Sequence, residues 1–181
     1  MKGPTDNSGK STLIRNITNH FNKNTFQSLH FGSVKHESIQ LGLKYSQKQY
    51  TEFFKLLEYF SEFESIGIIS DRSHLGEMVY GPIYRNYNGS YVLEIEKEHM
   101  SNTKVWDNLF LITCIDTAEN LISREDGLSF STDFGIKNQE IRNFIWAHEK
   151  SNIKHKFLLN VELYNKDEAS KKVIEFIEGN I

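Results

Sequence analysis

The chain has 181 residues, of which 38% are hydrophobic and 25% are charged, and its formal net charge is −3 at pH 7. These values describe one globular domain with a single core, and they exclude a disordered chain and a basic protein that coats nucleic acid. The longest apolar runs, such as residues 109–112, have the length of a strand and are too short to span a membrane.

The first predicted element is a glycine turn that opens a helix. Its seven residues are Asp6, Asn7, Ser8, Gly9, Lys10, Ser11 and Thr12. Backbone N–H groups in such a turn surround an anion, and the positive end of the following helix faces it. We therefore expect these residues to bind the phosphates of ATP. Lys10 would contact the β- and γ-phosphates, and the Ser11 hydroxyl would ligate Mg²⁺.

This phosphate-binding motif departs from its usual form at two points. Pro4 stands where the first glycine of the pattern belongs, and Gly3 lies one position too early. The first turn is therefore either one residue longer or rebuilt around Pro4. Such a loop normally follows a buried strand, yet Met1 and Lys2 alone precede Gly3 in this chain. We expect the first strand to be truncated, either because this chain starts late or because the protein has lost most of that strand.

Strand-like apolar runs alternate with helical patterns along the rest of the chain, which is typical of a parallel sheet with crossover helices. Strands are predicted near residues 26–31, 66–70, 109–115 and 156–161. Helices are predicted near residues 9–22, 47–63, 76–86, 91–102, 116–122 and 137–151. A final helix is predicted after Asn165, which forms a capping box with Glu168. The aromatic stripe on the helix at 47–63 is assigned to the core.

Asp71 and Arg72 directly follow the predicted strand at 66–70. Ligands of open parallel sheets bind at the carboxyl ends of the strands. We expect Asp71 to hold a Mg²⁺-bound water or to accept the proton of an acceptor hydroxyl. We expect Arg72 to bind an acceptor phosphate through two hydrogen bonds. The alternative is a surface ion pair at the start of a helix.

Further candidates lie in the neighbouring loops and helix. Arg124 begins a loop at about 123–135 that is interpreted as a lid, with the arginine near the γ-phosphate; an ordinary solvated loop is the alternative. Lys35 follows the strand at 26–31 and is a candidate for the acceptor pocket. Tyr84 and Arg85 follow Asp71 on the next predicted helix, where they either bind a nucleobase and its phosphate or pack in the core.

The single cysteine, Cys114, lies in the predicted strand at 109–115 and cannot form an internal disulfide. No secretory signal precedes the phosphate-binding motif. Both features predict a reducing, cytoplasmic location. The seven histidines show no metal-ligand spacing, so a structural zinc site is not expected.

Three segments together resemble the thymidylate-kinase-like P-loop kinases of nucleosides and nucleoside monophosphates: residues 6–12, 71–73 and 123–127. The segment at 71–85 is similar to small kinases encoded by bacteriophages. The resemblance implies a three-layer α/β/α fold with a mainly parallel five-stranded sheet, in one domain covering residues 1–181. It also implies ATP and Mg²⁺ as cofactors, Asp6 near the acceptor phosphate, Asp71 and Arg72 orienting the acceptor, and Arg124 as the lid arginine.

The leading hypothesis is transfer of the γ-phosphate of ATP to a deoxynucleoside monophosphate. Three alternatives stay open: a deoxynucleoside kinase, a kinase of a modified base in DNA, and an ATP-binding relic without turnover. Two arginines near the site favour the monophosphate, and the net charge does not favour a nucleic-acid partner. A membrane partner is not expected, and a homodimer is compatible with the resemblance.

Overall fold

The structure is a computed structural model that describes residues 9–21, 25–30, 36–125 and 129–181. The described strands are β1 (Thr25–His30), β2 (Ile66–Asp71), β3 (Phe110–Ile115) and β4 (His155–Asn160). The described α-helices are α1 (Lys10–Phe21), α2 (Ile39–Phe60), α3 (Leu75–Tyr80), α4 (Tyr91–His99), α5 (Thr103–Trp106), α6 (Ala118–Ser123), α7 (Phe134–Lys150) and α8 (Lys166–Glu178). None of these helices has the length and apolar character needed to cross a membrane.

The strands form two separate two-stranded parallel sheets, so the predicted five-stranded sheet is wrong. β1 pairs with β2, and β3 pairs with β4. Each pair is joined by a helical crossover, α2 in the first pair and α6 with α7 in the second, as parallel strands require. In the described ranges no strand bridges β2 and β3. The α/β alternation and the parallel pairing agree with the sequence pattern; the single continuous sheet does not.

Helix α2 carries the predicted aromatic stripe but begins before the predicted start at residue 47. Ser38 is its N-cap, and the Ser38 hydroxyl accepts a hydrogen bond from the Leu41 backbone N–H at 3.2 Å. This cap supplies a start signal that apolar spacing alone does not contain. The stripe packs in the larger core cluster, as predicted. Its buried members are Tyr50, Phe53, Phe54 and Leu57.

A second, smaller core joins α1, β4 and α8. It contains Leu13, Leu159, Ala169 and Val173. The predicted capping box at the start of α8 is confirmed. The Asn165 side chain accepts from the Glu168 backbone N–H at 3.0 Å, and the Glu168 carboxylate accepts from the Asn165 backbone N–H at 3.1 Å. This core anchors α1, the helix that starts at the predicted phosphate-binding motif.

The helix predicted at 76–86 is divided into α3 and a π-helical turn at Gly81–Arg85. The turn ends at Asn86, whose φ of 54° is left-handed. Beyond it, the backbone at Gly89 passes so close to Glu77 that an added Cβ would lie 2.0 Å from the Glu77 carbonyl oxygen. Any side chain at position 89 would displace the backbone, because such a contact is far inside van der Waals distance.

Candidate functional site

The described part of the predicted phosphate-binding motif begins at Gly9, directly before α1. Gly9 has a φ of 80°, and its carbonyl accepts hydrogen bonds from the N–H groups of Thr12 and Leu13, both at 3.1 Å. Glycine adopts this left-handed conformation at little cost. Lys10, Ser11 and Thr12 form the first turn of α1. The predicted phosphate ligands Asp6, Asn7 and Ser8, and the predicted acceptor residue Lys35, lie outside the described residues.

The end of β2 carries a strained backbone. Asp71 is the last residue of this strand, and Arg72 follows it with a φ of 74°. A long non-glycine side chain in the left-handed region costs of the order of 1 kcal/mol or more, and such strain concentrates at functional sites. The Ser70 hydroxyl donates to the Arg72 carbonyl oxygen at 2.5 Å, which holds this turn in place. Both predicted residues are half-buried.

Lys10 and Asp71 both lie within electrostatic range of the half-buried thiol of Cys114 on β3. Burial raises the pKa of Cys114 to about 11; the Lys10 ammonium opposes that rise and the Asp71 carboxylate adds to it. A charge shifts a neighbouring pKa in this way at short range. The start of α1, the end of β2 and the last part of β3 therefore lie together. Two charged side chains that are far apart in the sequence thus act on the same thiol.

A buried carboxylate that the sequence interpretation did not select, Asp116, follows β3. Its side chain is 0% exposed, and its Oδ2 accepts a hydrogen bond from Arg124 Nη1 at 2.7 Å. Its Oδ1 accepts from the Thr117 backbone N–H and from Asn120 Nδ2, each at 2.8 Å. The guanidinium of Arg124, the predicted lid arginine, is therefore held beside the end of β3.

Asp116 could have been found from one signal. It directly follows an apolar strand, as Asp71 does, and polar residues at strand ends are candidates for ligand binding in parallel sheets. Its pairing with Arg124 could not be read from the sequence, because it depends on the length and direction of α6.

Arg85, predicted to bind an acceptor phosphate, contacts the buried carboxylate of Glu77. Arg85 Nη1 donates to Glu77 Oε1 and also to the Tyr87 hydroxyl, the latter at 3.2 Å. The Tyr87 hydroxyl donates to Glu77 Oε2, and Tyr91 donates to the same oxygen at 3.4 Å. Burial lowers the pKa of Arg85, but the Glu77 carboxylate more than reverses this, so the net pKa is raised. Its guanidinium thus neutralises an internal carboxylate.

Tyr84, predicted to stack on a nucleobase, packs against the loop before α7. Its ring stacks on Phe130 with 4.9 Å between the ring centroids, and its hydroxyl donates to Glu140 Oε1. Burial, and then the hydrogen bond to Glu140, raise the pKa of Tyr84. The aromatic face of Tyr84 therefore lies against the predicted lid segment.

Glu140 also contacts a fully buried lysine. Lys137 Nζ donates to Glu140 Oε2 at 3.5 Å, and the Lys137 side chain is 0% exposed. Burial raises the pKa of Glu140 more than Tyr84 and Lys137 lower it, and the Glu125 carboxylate raises it further. Glu125, the neighbour of Arg124, therefore lies close to this cluster. The end of α6, the π-helical turn and α7 share one buried charged cluster.

No model of a known protein family matches the chain, and no curated protein matches it at a significant level. The case for a function therefore depends on the residues and their geometry.

Proposed function

We propose that the protein transfers the γ-phosphate of ATP to a deoxynucleoside monophosphate in a Mg²⁺-dependent reaction. The observation that carries the proposal is that α1, which begins at Lys10, packs against β2, which ends at Asp71, and that both charges lie within electrostatic range of Cys114 on β3. A cation at a helix start next to a carboxylate at a strand end is the arrangement that phosphoryl transfer uses to hold a triphosphate and its metal.

The residues present fit this chemistry. A hydroxyl at Ser11 and a carboxylate at Asp71 are oxygen donors of the kind that Mg²⁺ prefers, and Mg²⁺ usually completes its shell with water and substrate phosphates. No cluster of three or more His, Cys, Asp or Glu side chains forms a metal site in the described ranges. The metal would therefore be bound together with the nucleotide, and it would neutralise charge on the phosphates.

Roles for the remaining residues follow from their positions. Lys10 would stabilise charge that develops on the γ-phosphate during transfer. Arg72, beside Asp71, would bind the acceptor phosphate. Arg124, whose side chain is 43% exposed beside Asp116, would add a second cation to the migrating group.

The test is ADP formation from Mg²⁺-ATP with purified protein and a panel of deoxynucleosides, deoxynucleoside monophosphates and DNA. We expect turnover with a monophosphate, and we expect Lys10→Ala to lower kcat at least about 10³-fold because a phosphate-binding cation is removed. Arg15→Ala is the matched control, since Arg15 is an exposed cation on the same helix. Full activity in Lys10→Ala would refute the assignment. ATP binding without turnover would favour the alternative of an ATP-binding relic that has lost catalysis.

A deoxynucleoside kinase is the second candidate, and the Arg85–Glu77 pair favours it. One of the two arginines expected to bind an acceptor phosphate is engaged by an internal carboxylate. Arg72→Ala separates the two candidates. Its KM should rise for a monophosphate that Arg72 binds, whereas a nucleoside acceptor, which lacks that phosphate, should be much less affected. If DNA were the preferred acceptor in the panel, both candidate functions would be wrong.

A further inference from the structure

Asp116 directly follows β3, and the Cys114 thiol on this strand lies within electrostatic range of Lys10 and Asp71, the residues of the proposed phosphate site. The Asp116 side chain is completely buried, and burying a carboxylate is costly unless donors surround it. Here the donors come from Thr117, Asn120 and Arg124 at 2.7 to 2.8 Å. A carboxylate so bound has little freedom to move.

The same contacts connect both ends of α6. Asn120 donates from its side chain to Asp116 at 2.8 Å, and its carbonyl accepts from the Arg124 backbone N–H at 3.2 Å. Arg124 is the C-cap residue of α6, and its guanidinium donates a hydrogen bond to the Asp116 carboxylate, which precedes the start of the same helix. Hydrogen bonds therefore connect the Asp116 carboxylate to the middle of α6 through Asn120 and to the end of α6 through Arg124.

The exposure of the two side chains differs sharply. Asp116 is 0% exposed, whereas Arg124 is 43% exposed. The buried carboxylate fixes the position of the guanidinium, and the guanidinium stays accessible to solvent. This arrangement suits a cation that must bind an anionic ligand in one defined position.

We propose that Asp116 is a positioning residue for phosphoryl transfer: it holds the Arg124 guanidinium where the γ-phosphate of a nucleoside triphosphate is transferred. The inference rests on the proposed function. Asp116 itself does not contact the reacting atoms; it acts through Arg124. Displacing a catalytic group by about 1 Å can cost about 10²-fold in rate, so loss of the carboxylate should affect kcat more than substrate binding.

The experiment is a double-mutant cycle on kcat with Asp116→Asn, Arg124→Ala and the double variant. We expect Asp116→Asn to lower kcat roughly 10- to 100-fold with little change in KM for ATP. We expect the double variant to be no slower than Arg124→Ala alone, since Asp116 has nothing left to position. If Asp116 acted independently of Arg124, the two losses would multiply, and that result would overturn the inference.

Two further measurements keep the outcomes distinct. If Asp116→Asn does not fold, Asn120→Ala removes one donor to the carboxylate; its smaller loss of kcat should likewise vanish in the Arg124→Ala background, and persistence would overturn the inference. Absence of transfer by the wild-type chain would overturn the proposed function and this inference together. Transfer by the wild type with multiplying losses would overturn this inference alone.

Discussion

Replacing Arg85 with methionine should destabilise the fold. The substitution leaves the Glu77 side chain, which is 4% exposed, buried without its cation, while the two tyrosine hydroxyls stay in place. Removing one partner of a buried ion pair costs about 3–5 kcal/mol. The Arg85 side chain is 25% exposed, which places the expected cost near the lower end, at about 3 kcal/mol.

Thermal unfolding followed by circular dichroism measures this cost. For a chain of this size a loss of 3 kcal/mol lowers Tm by about 6–12 °C. Arg142→Met is the control, because Arg142 is an exposed arginine on α7 and should change the free energy of unfolding by less than about 0.5 kcal/mol. Adding Glu77→Gln to Arg85→Met should recover part of the loss, since the buried charge is then removed as well.

The opposite result would refute this reasoning. If Arg85→Met kept the wild-type Tm while KM for the acceptor rose tenfold, Arg85 would be an acceptor ligand and its contact with Glu77 would be unimportant. Measuring Tm and KM on the same preparations separates these outcomes.

Two further predictions concern stability. Glu96 is buried, and its carboxylate accepts hydrogen bonds from His74, Ser151 and Asn152 at 2.6 to 2.9 Å. Burial raises the pKa of Glu96, but the interactions with these residues more than offset that rise, so the net pKa is lowered. The ionised Glu96 carboxylate therefore contributes fully to the free energy of unfolding above about pH 4.5, and this contribution is lost as the pH falls through the lowered pKa. The Tm difference between wild type and Glu96→Gln should shrink from pH 6 to pH 3, and a constant difference would contradict this. Asn165→Ala removes the cap of α8 and should cost about 1 kcal/mol in urea unfolding, and an unchanged midpoint would show that the capping box is dispensable.

Local sequence signals predicted most of the individual elements. The capping box of α8, the apolar runs that became β2 and β3, and the aromatic stripe of α2 all depend on residues within one or two turns of each other. The start of α2 at Ser38 was missed, since a single serine cap is a weak signal among several polar residues. The π-helical turn at Gly81–Arg85 was also missed, because apolar spacing does not distinguish a single π-helical turn from the end of an α-helix.

The sequence by itself predicted the helix that starts after Gly9, the strand-end position of Asp71 and Arg72, and the alternation of helices with parallel strands. The tertiary structure alone decided that the strands pair two by two, that Arg85 neutralises Glu77, and that Asp116 holds Arg124. The physical reason is the separation along the chain of the groups that interact. Caps, turns and periodicity are short-range properties of the chain, whereas strand pairing and the burial of charge depend on groups that meet only after folding.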